Sequence, residues 1–357
     1  MTTATQVQTT FPWVVGFPEI ARAYPQLRFM GSKFRLLPWI HEVLSPLDFD
    51  TALDGFSGSG CVGYLLKAMG KEVTSNDFLN FSTTIARATI ENPGTRVDGE
   101  DTRLLLSYDP RQQHFIERTF TGIFFSPADL RFLDRTWWNL RKLENHFKRA
   151  IAIAALVRSC VKRQPRGVFT VAGDPEHYKD GRRDLRLSLE EHFLEQVEVY
   201  NRAVFDNAKA NRAVRSDVFG IDPTGFDLVY LDPPYVPRSD DNCYVKRYHF
   251  LEGLSCYWEG VEILQDSTVK KIRKPFTPFS YRKSALEALD RMFARFSNSI
   301  LVLSYSSNGY PDLNILLDLM KRYKGTVAVH QKPHRYHFGT HEAAIRNEVL
   351  EYLIVGS

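Results

Sequence analysis

The chain has 357 residues, a length that suits one large domain or two ordinary ones. Hydrophobic residues make up 43% and charged residues 25%, a globular composition that excludes a fibrous or disordered chain. A net charge of +4 is too small to name a polyanionic partner, so where the charge sits matters more than its sum. Cys61, Cys160, Cys243 and Cys256 form no C-x-x-C pair and no disulfide framework; no metal is expected, and a reducing cytoplasm fits. Residues 1–10 lack the apolar stretch of a signal peptide, and the small-apolar run 150–157 is too short to cross a bilayer.

In chain order, residues 1–25 read as a tail or loosely docked lead-in. A turn at Met30-Gly31-Ser32 leads into an apolar-periodic stretch, 34–44, predicted as helix. Residues 51–56 read as a short buried strand running into Ser57-Gly58-Ser59-Gly60. A helix over 61–69, a strand over 72–75 and a helix over 78–89 follow, a rhythm that predicts a parallel α/β sheet. From 101 to 210 the pattern is helices and loops. Ser126-Pro127 with Asp129 starts a helix, and helical spacing continues through Trp137, Trp138 and Leu156. A loop-like segment, 158–186, is rich in Arg, Lys and Gly, and a helix over 190–207 closes the region. Strands return at 213–216, at 226–231, whose near-continuous apolar run suits a strand buried on both faces, and at 299–305. A helix follows Pro311, and 326–330 with 349–355 form a terminal strand pair. The expected architecture is one α/β sheet, 26–100 and 211–357, interrupted by a mostly helical insertion, 101–210.

The decisive motif is Asp232-Pro233-Pro234-Tyr235, directly after the strand at 226–231. Ligands of open α/β sheets bind at the carboxyl ends of strands. An aromatic amine such as the adenine 6-amino group is a poor nucleophile because its lone pair is delocalised into the ring. A carboxylate (Asp232) and a carbonyl (Pro233) accepting its two hydrogens favour a more electron-rich nitrogen, without full deprotonation. The prolines stiffen the backbone and remove two amide donors, and the Tyr235 ring can stack on a base taken out of its helix.

The second motif, Asp54-Gly55-Phe56-Ser57-Gly58-Ser59-Gly60, is a strand feeding a glycine turn and a helix, which lets backbone amides approach a ligand. Gly58, Gly60 and Gly63 also satisfy G-x-G-x-x-G, so a nicotinamide oxidoreductase stays open on this motif alone, with Asp77 on the ribose under either reading. Asp-Pro-Pro-Tyr has no use in a dehydrogenase. Arg28-Phe29-Met30-Gly31-Ser32-Lys33 sets a close-approach glycine beside a lysine, suited to a cofactor carboxylate, a DNA phosphate or an ordinary helix start. Asp217 follows a short strand and is either a cofactor ligand or a solvated turn residue.

These motifs, in this order, resemble the alpha group of DNA adenine methyltransferases, the Dam-like family, over most of the chain from residue 28. The resemblance implies a Rossmann-like S-adenosylmethionine-dependent methyltransferase sheet, with the insertion as target-recognition domain. It further implies that Phe29, Lys33, Asp54, Phe56, Gly58, Gly60, Asp77, Asp217 and Asp232 bind S-adenosylmethionine, and that Asp232, Pro233, Pro234 and Tyr235 form the adenine pocket. Asp54 and Gly55 stand where the family more usually has Glu and Pro, keeping a carboxylate and a tight backbone. The stretch 248–258 looks more like methylases of restriction-modification systems, which implies a bacterial or phage source and a cognate restriction endonuclease acting separately.

Two basic segments suit phosphates: 158–186, including Arg163, Arg166, Arg182 and Arg183, and 270–283, including Lys270, Lys271, Arg273 and Lys274. With Lys33 they make up the expected DNA contacts. Double-stranded DNA is the expected partner, no membrane is expected, and a monomer is the simpler expectation. The competing acceptors are adenine in RNA, a cytosine amino group and a glutamine side chain. The latter two go more often with Ser and Asn in the first motif position, which here is Asp232. A catalytically dead DNA-binding module is opposed by intact Asp232 and Tyr235.

Overall fold

The structure, a computed structural model, describes residues 16–173, 181–237, 244–335 and 348–357. A 3-10 turn (Lys33–Leu36) leads into α1 (Leu37–Leu44), which buries Leu37, Ile40, Val43 and Leu44. There follow β1 (Thr51–Asp54), α2 (Cys61–Ala68), β2 (Glu72–Asp77) and α3 (Asn80–Ala86). Six helices come next: α4 (Gly99–Leu106), α5 (Phe115–Phe120), α6 (Pro127–Leu140), α7 (His146–Arg163), α8 (Arg183–Arg186) and α9 (Leu189–Ala203). Among the described residues between 78 and 211 there is no strand. Then come β3 (Arg212–Arg215), β4 (Leu228–Leu231), β5 (Val236–Pro237), α10 (Tyr244–Ser255), α11 (Arg282–Arg295), β6 (Ile300–Ser306), β7 (Gly309–Tyr310), α12 (Leu313–Met320), β8 (Val327–Arg335) and β9 (Glu348–Gly356).

Seven strands form one sheet in the order β3-β2-β1-β4-β6-β9-β8. The first five are parallel, and β9 runs antiparallel to β6 and β8. The chain steps outward from β1 through β2 to β3, then returns to β4 on the other side of β1. The direction of winding therefore reverses between β1 and β4, and the loops leaving their carboxyl ends part around a crevice.

Alternation along the strands explains the two layers on the sheet. Ala52, Leu228, Tyr230 and Val302 join the core that holds Leu65 and Leu66 of α2. Leu53, Val229, Leu231, Leu301 and Leu303 face the other way, onto Leu289, Met292 and Phe293 of α11 and Leu316 of α12. A third core lies in the helical region, where Phe120, Phe124 and Phe169 pack on Phe250 and Trp258. The segment around α10 thus packs with the helices of 101–210 although it follows β4 in sequence.

Several elements differ from the sequence-based expectation. Residues 158–163, predicted as loop, are the last turns of α7, where Lys162 and Arg163 meet the negative end of the helix dipole. The lead-in is not loose over its described part, 16–25: Tyr24 is buried and donates a hydrogen bond to the Ser59 carbonyl. The helix α10 had no forecast because Val245 and residues 248–255 are all buried, leaving no polar face to set a 3.6-residue pattern. No helix among the described residues is long and apolar enough to cross a membrane.

Candidate active site

The site begins where β1 and β4 end side by side. The Gly55 amide, just past β1, donates to the Tyr230 carbonyl of β4 at 2.9 Å. Asp54 is buried at the end of β1, and its Oδ2 accepts the Gly63 amide at 2.9 Å, tying the glycine loop to the first turn of α2. Gly58 and Gly60 have φ of +51° and +82°, in the left-handed region that favours glycine. A Cβ at 58 would meet Phe29 Cε1 at 3.0 Å, and one at 60 would meet Tyr24 Oη at 2.7 Å. Asp77 ends β2 and receives two backbone amides, Gly58 on Oδ2 and Leu79 on Oδ1, each at 2.8 Å. Burial pushes the Asp54 carboxyl up to about 8 and the Asp77 carboxyl up to about 6.

Asp232 is the first residue past β4. Lys33 Nζ lies 2.9 Å from its Oδ2, with the lysine side chain 3% exposed and the aspartate 17%. The same ammonium donates to the Gly31 carbonyl at 3.1 Å. Asp232 Oδ1 is buried without a hydrogen-bond partner among the described residues. Desolvation raises the Asp232 carboxyl above its ordinary range, and the Lys33 charge opposes that rise. The Tyr235 ring packs 5.1 Å from that of Tyr305, and Lys33 Nζ sits 5.9 Å from its centroid. Val236 then pairs with Tyr310 in the β5–β7 ribbon, and a Cβ on Gly309 would lie 3.1 Å from Tyr235 Cβ. The turn Ser306-Ser307-Asn308-Gly309 therefore borders the motif.

Phe29, Lys33, Asp54, Phe56, Gly58, Asp77, Asp232 and Pro234 line one cleft. Gly60 turns the chain beneath it, and Pro233 is buried beside Asp232. Asp217 is not among the lining residues: it is exposed, and its Oδ1 caps the Phe219 amide at 2.9 Å. Its neighbour Phe219 stacks on Phe279, which meets Phe56 edge-on at 5.2 Å, so this turn stands one ring away from the cleft. Sequence reasoning missed Tyr244 and Tyr248 of α10. Both rings stack on Phe29, at 5.3 and 4.9 Å, and Tyr248 Oη accepts the Met30 amide at 2.8 Å. Their spacing of four residues was the available signal.

Two expected DNA contacts need correction. Lys33 is buried in the cleft against Asp232, which removes it from the surface where a phosphate would approach. Arg163 is buried too, paired with Asp129 at 3.4 Å and donating to the Leu185 carbonyl, so it joins α7 to α6 and α8. Arg166 is exposed. Arg182 is half-buried and donates to the Pro165 carbonyl at 2.9 Å, while exposed Arg183 pairs with Glu195. Lys270 and Lys271 are half-buried, Arg273 is exposed and paired with Glu262 at 3.1 Å, and Lys274 Nζ lies 5.3 Å above the Tyr281 ring. Residues 174–180, part of the first basic segment, lie outside the described residues.

A buried carboxylate paired to a lysine, at the mouth of a glycine-loop cleft on a switch point, is the arrangement of a group-transfer enzyme of the α/β class. The sequence defines the family: the chain belongs to the D12 class N6 adenine-specific DNA methyltransferases, whose family model matches residues 29–297. It is similar to the type II methyltransferase M2.HphI of Haemophilus parahaemolyticus, 30% identical over 93% of this chain and 98% of that protein. The type II methyltransferase M.NlaIII of Neisseria lactamica is 24% identical over 83% of this chain and 88% of its own. The modification methylase LlaI of Lactococcus lactis subsp. lactis is 24% identical over 90% of this chain, which spans only 53% of that longer protein. The chain is thus an enzyme of site-specific adenine methylation in DNA, and the family implies S-adenosylmethionine as methyl donor.

Proposed function

We propose that the enzyme acts on an adenine extruded from duplex DNA, held between Asp232 and Tyr235 beside S-adenosylmethionine bound across the β1–β4 crevice. The reading rests on one observation above others: Asp232, with Oδ2 held by Lys33 and Oδ1 buried without a hydrogen-bond partner among the described residues, shares a cleft with the glycine loop and Asp77. An orphaned buried carboxylate oxygen is costly unless a ligand completes it, and an amino N–H does so. The donor set also fits the cofactor. Glycines at 58 and 60 admit close backbone approach, Asp77 offers a carboxylate for ribose hydroxyls, and Phe29 and Phe56 offer apolar faces. When bound, S-adenosylmethionine supplies an electrophilic methyl on a sulfonium.

Asp232 Oδ1 and the Pro233 carbonyl accept the two amino hydrogens, which directs the nitrogen lone pair out of the ring plane. Lys33 keeps the Asp232 carboxylate ionised inside a desolvated site. Tyr235, backed by Tyr305 and Gly309, stacks on the base and fixes its plane. The sheet is Rossmann-like, with five parallel strands and an antiparallel β9 between β6 and β8. The helical layer of α4 to α9, with the α10 segment packed into it, serves as the target-recognition domain. Arg166, Arg182, Arg183 and the 270–274 cluster supply phosphate contacts. Kinship with type II methyltransferases favours a restriction-modification setting in a bacterial or phage-infected cytoplasm, with the enzyme acting as a monomer and its endonuclease separately.

Titration with S-adenosylmethionine and with NAD, followed by methylation-sensitive sequencing of DNA from cells expressing the protein, tests the reading. Binding of the first alone and 6-methyladenine at one sequence are expected. Binding of NAD alone, or methyl transfer to RNA but not duplex DNA, would overturn it.

A further inference from the structure

The segment after α10 carries six Lys or Arg and no Asp or Glu between 270 and 283. Within it stands an aromatic pair that packing does not explain. Phe276 is 70% exposed and Tyr281 37%, yet their rings are 5.4 Å apart and 9° from parallel. A solvated basic loop has no need to hold a phenyl ring flat in water. Pro275 and Pro278 bracket Phe276 and stiffen its backbone. Lys274 covers the Tyr281 ring from 5.3 Å, so a cation and two π-faces lie together, the combination that grips a nucleobase.

The pair is anchored to the active site on two sides. Phe279 is buried and meets Phe56 of the glycine loop edge-on at 5.2 Å. Arg282 lies 4.3 Å over the Tyr310 ring, and Tyr310 pairs with Val236, the residue after Tyr235. We propose that Phe276 and Tyr281 form a base-stacking platform that receives the DNA base left unpaired when the target adenine leaves the helix. The proposal rests on the extrusion reading above and deepens it. Duplex DNA suits the site because the charged residues of 270–283 are all basic, and because an unpaired base beside an emptied stack presents a free π-face. By holding that base, the platform offsets part of the unstacking cost that extrusion incurs.

The test compares Phe276→Ala and Phe276→Trp with the wild type on two duplexes carrying the mapped recognition site, one with the target adenine paired and one with it mismatched. The mismatch lowers the cost of extrusion, so it removes the step the platform serves. Phe276→Ala is expected to lower kcat/KM about tenfold on the paired duplex and less than about threefold on the mismatched one, with Phe276→Trp restoring most of the loss. The thermal midpoint should stay unchanged, since the ring is exposed. An equal loss on both duplexes, or no loss on either, overturns the platform. A wild type that methylates neither duplex sinks the duplex-DNA reading itself, and the platform with it.

Discussion

Lys33 and Asp232 form an ion pair at 2.9 Å between the turn that precedes the first helix and the loop that follows the fourth strand. Lys33→Met should leave a buried carboxylate without its counter-charge, lowering stability by about 3 kcal/mol and raising the Asp232 pKa further. Activity needs the ionised carboxylate, so the acid limb of the kcat/KM profile should move to higher pH. An unshifted limb would refute the role given to the lysine. Asp232→Ala should abolish turnover while S-adenosylmethionine still binds by calorimetry.

Asp54 predicts a pH-dependent stability. Its folded pKa of about 8 lies above the unfolded value of about 3.9. Between those limits the native state binds more protons than the unfolded chain, so stability falls as pH rises, by about 1.4 kcal/mol per pH unit. Asp54→Asn cannot ionise. Its unfolding free energy should match the wild type near pH 4 and exceed it increasingly up to pH 8. Parallel pH curves in denaturant titrations would contradict this.

Gly60 carries both a positive φ and a steric demand. Gly60→Ala should cost about 1–2 kcal/mol for the left-handed backbone, plus the clash with Tyr24 Oη. Thermal midpoint and cofactor affinity should both drop. Adding Tyr24→Phe should recover the steric part alone, which a double-mutant cycle measures.

Arg163 and its surface neighbours should separate cleanly. Arg163→Met breaks a buried pair with Asp129 and should lower unfolding free energy by about 3 kcal/mol, leaving the salt slope of DNA binding unchanged. Replacing Arg182 and Arg183 together by Ala should weaken DNA binding and flatten its salt dependence. Identical salt slopes for wild type and double variant would remove those two residues from the interface.

The chemistry was legible because it sits on local signals. Asp232 follows an apolar strand, Asp54 ends another that runs into the glycine turn to Gly60, and Asp77 ends the next, so each lands at a strand's carboxyl end from spacing alone. Arg163 reads as a surface contact in the sequence for a related reason. Charge in a sequence reads as surface, and nothing local tells Arg163 from Arg166. Only packing α7 against α6 and α9 buries the first and exposes the second. The α10 helix was invisible for the opposite reason, since burial of every residue from 248 to 255 erases the polar face that periodicity needs, and the helix kinks at Tyr248. Its Tyr244 and Tyr248 therefore escaped notice as the wall behind Phe29.

By itself, the order of residues determined the strand-and-loop rhythm, the glycine turn and the Asp-Pro-Pro-Tyr motif, because these depend on neighbours a few positions away. Tertiary structure alone decided that Lys33 meets Asp232, that Phe279 touches Phe56, and that Asp217 stands outside the cleft. Those relations depend on the crossover that returns the chain from β3 to β4. The positions of side chains so far apart in sequence exist only once the sheet has closed.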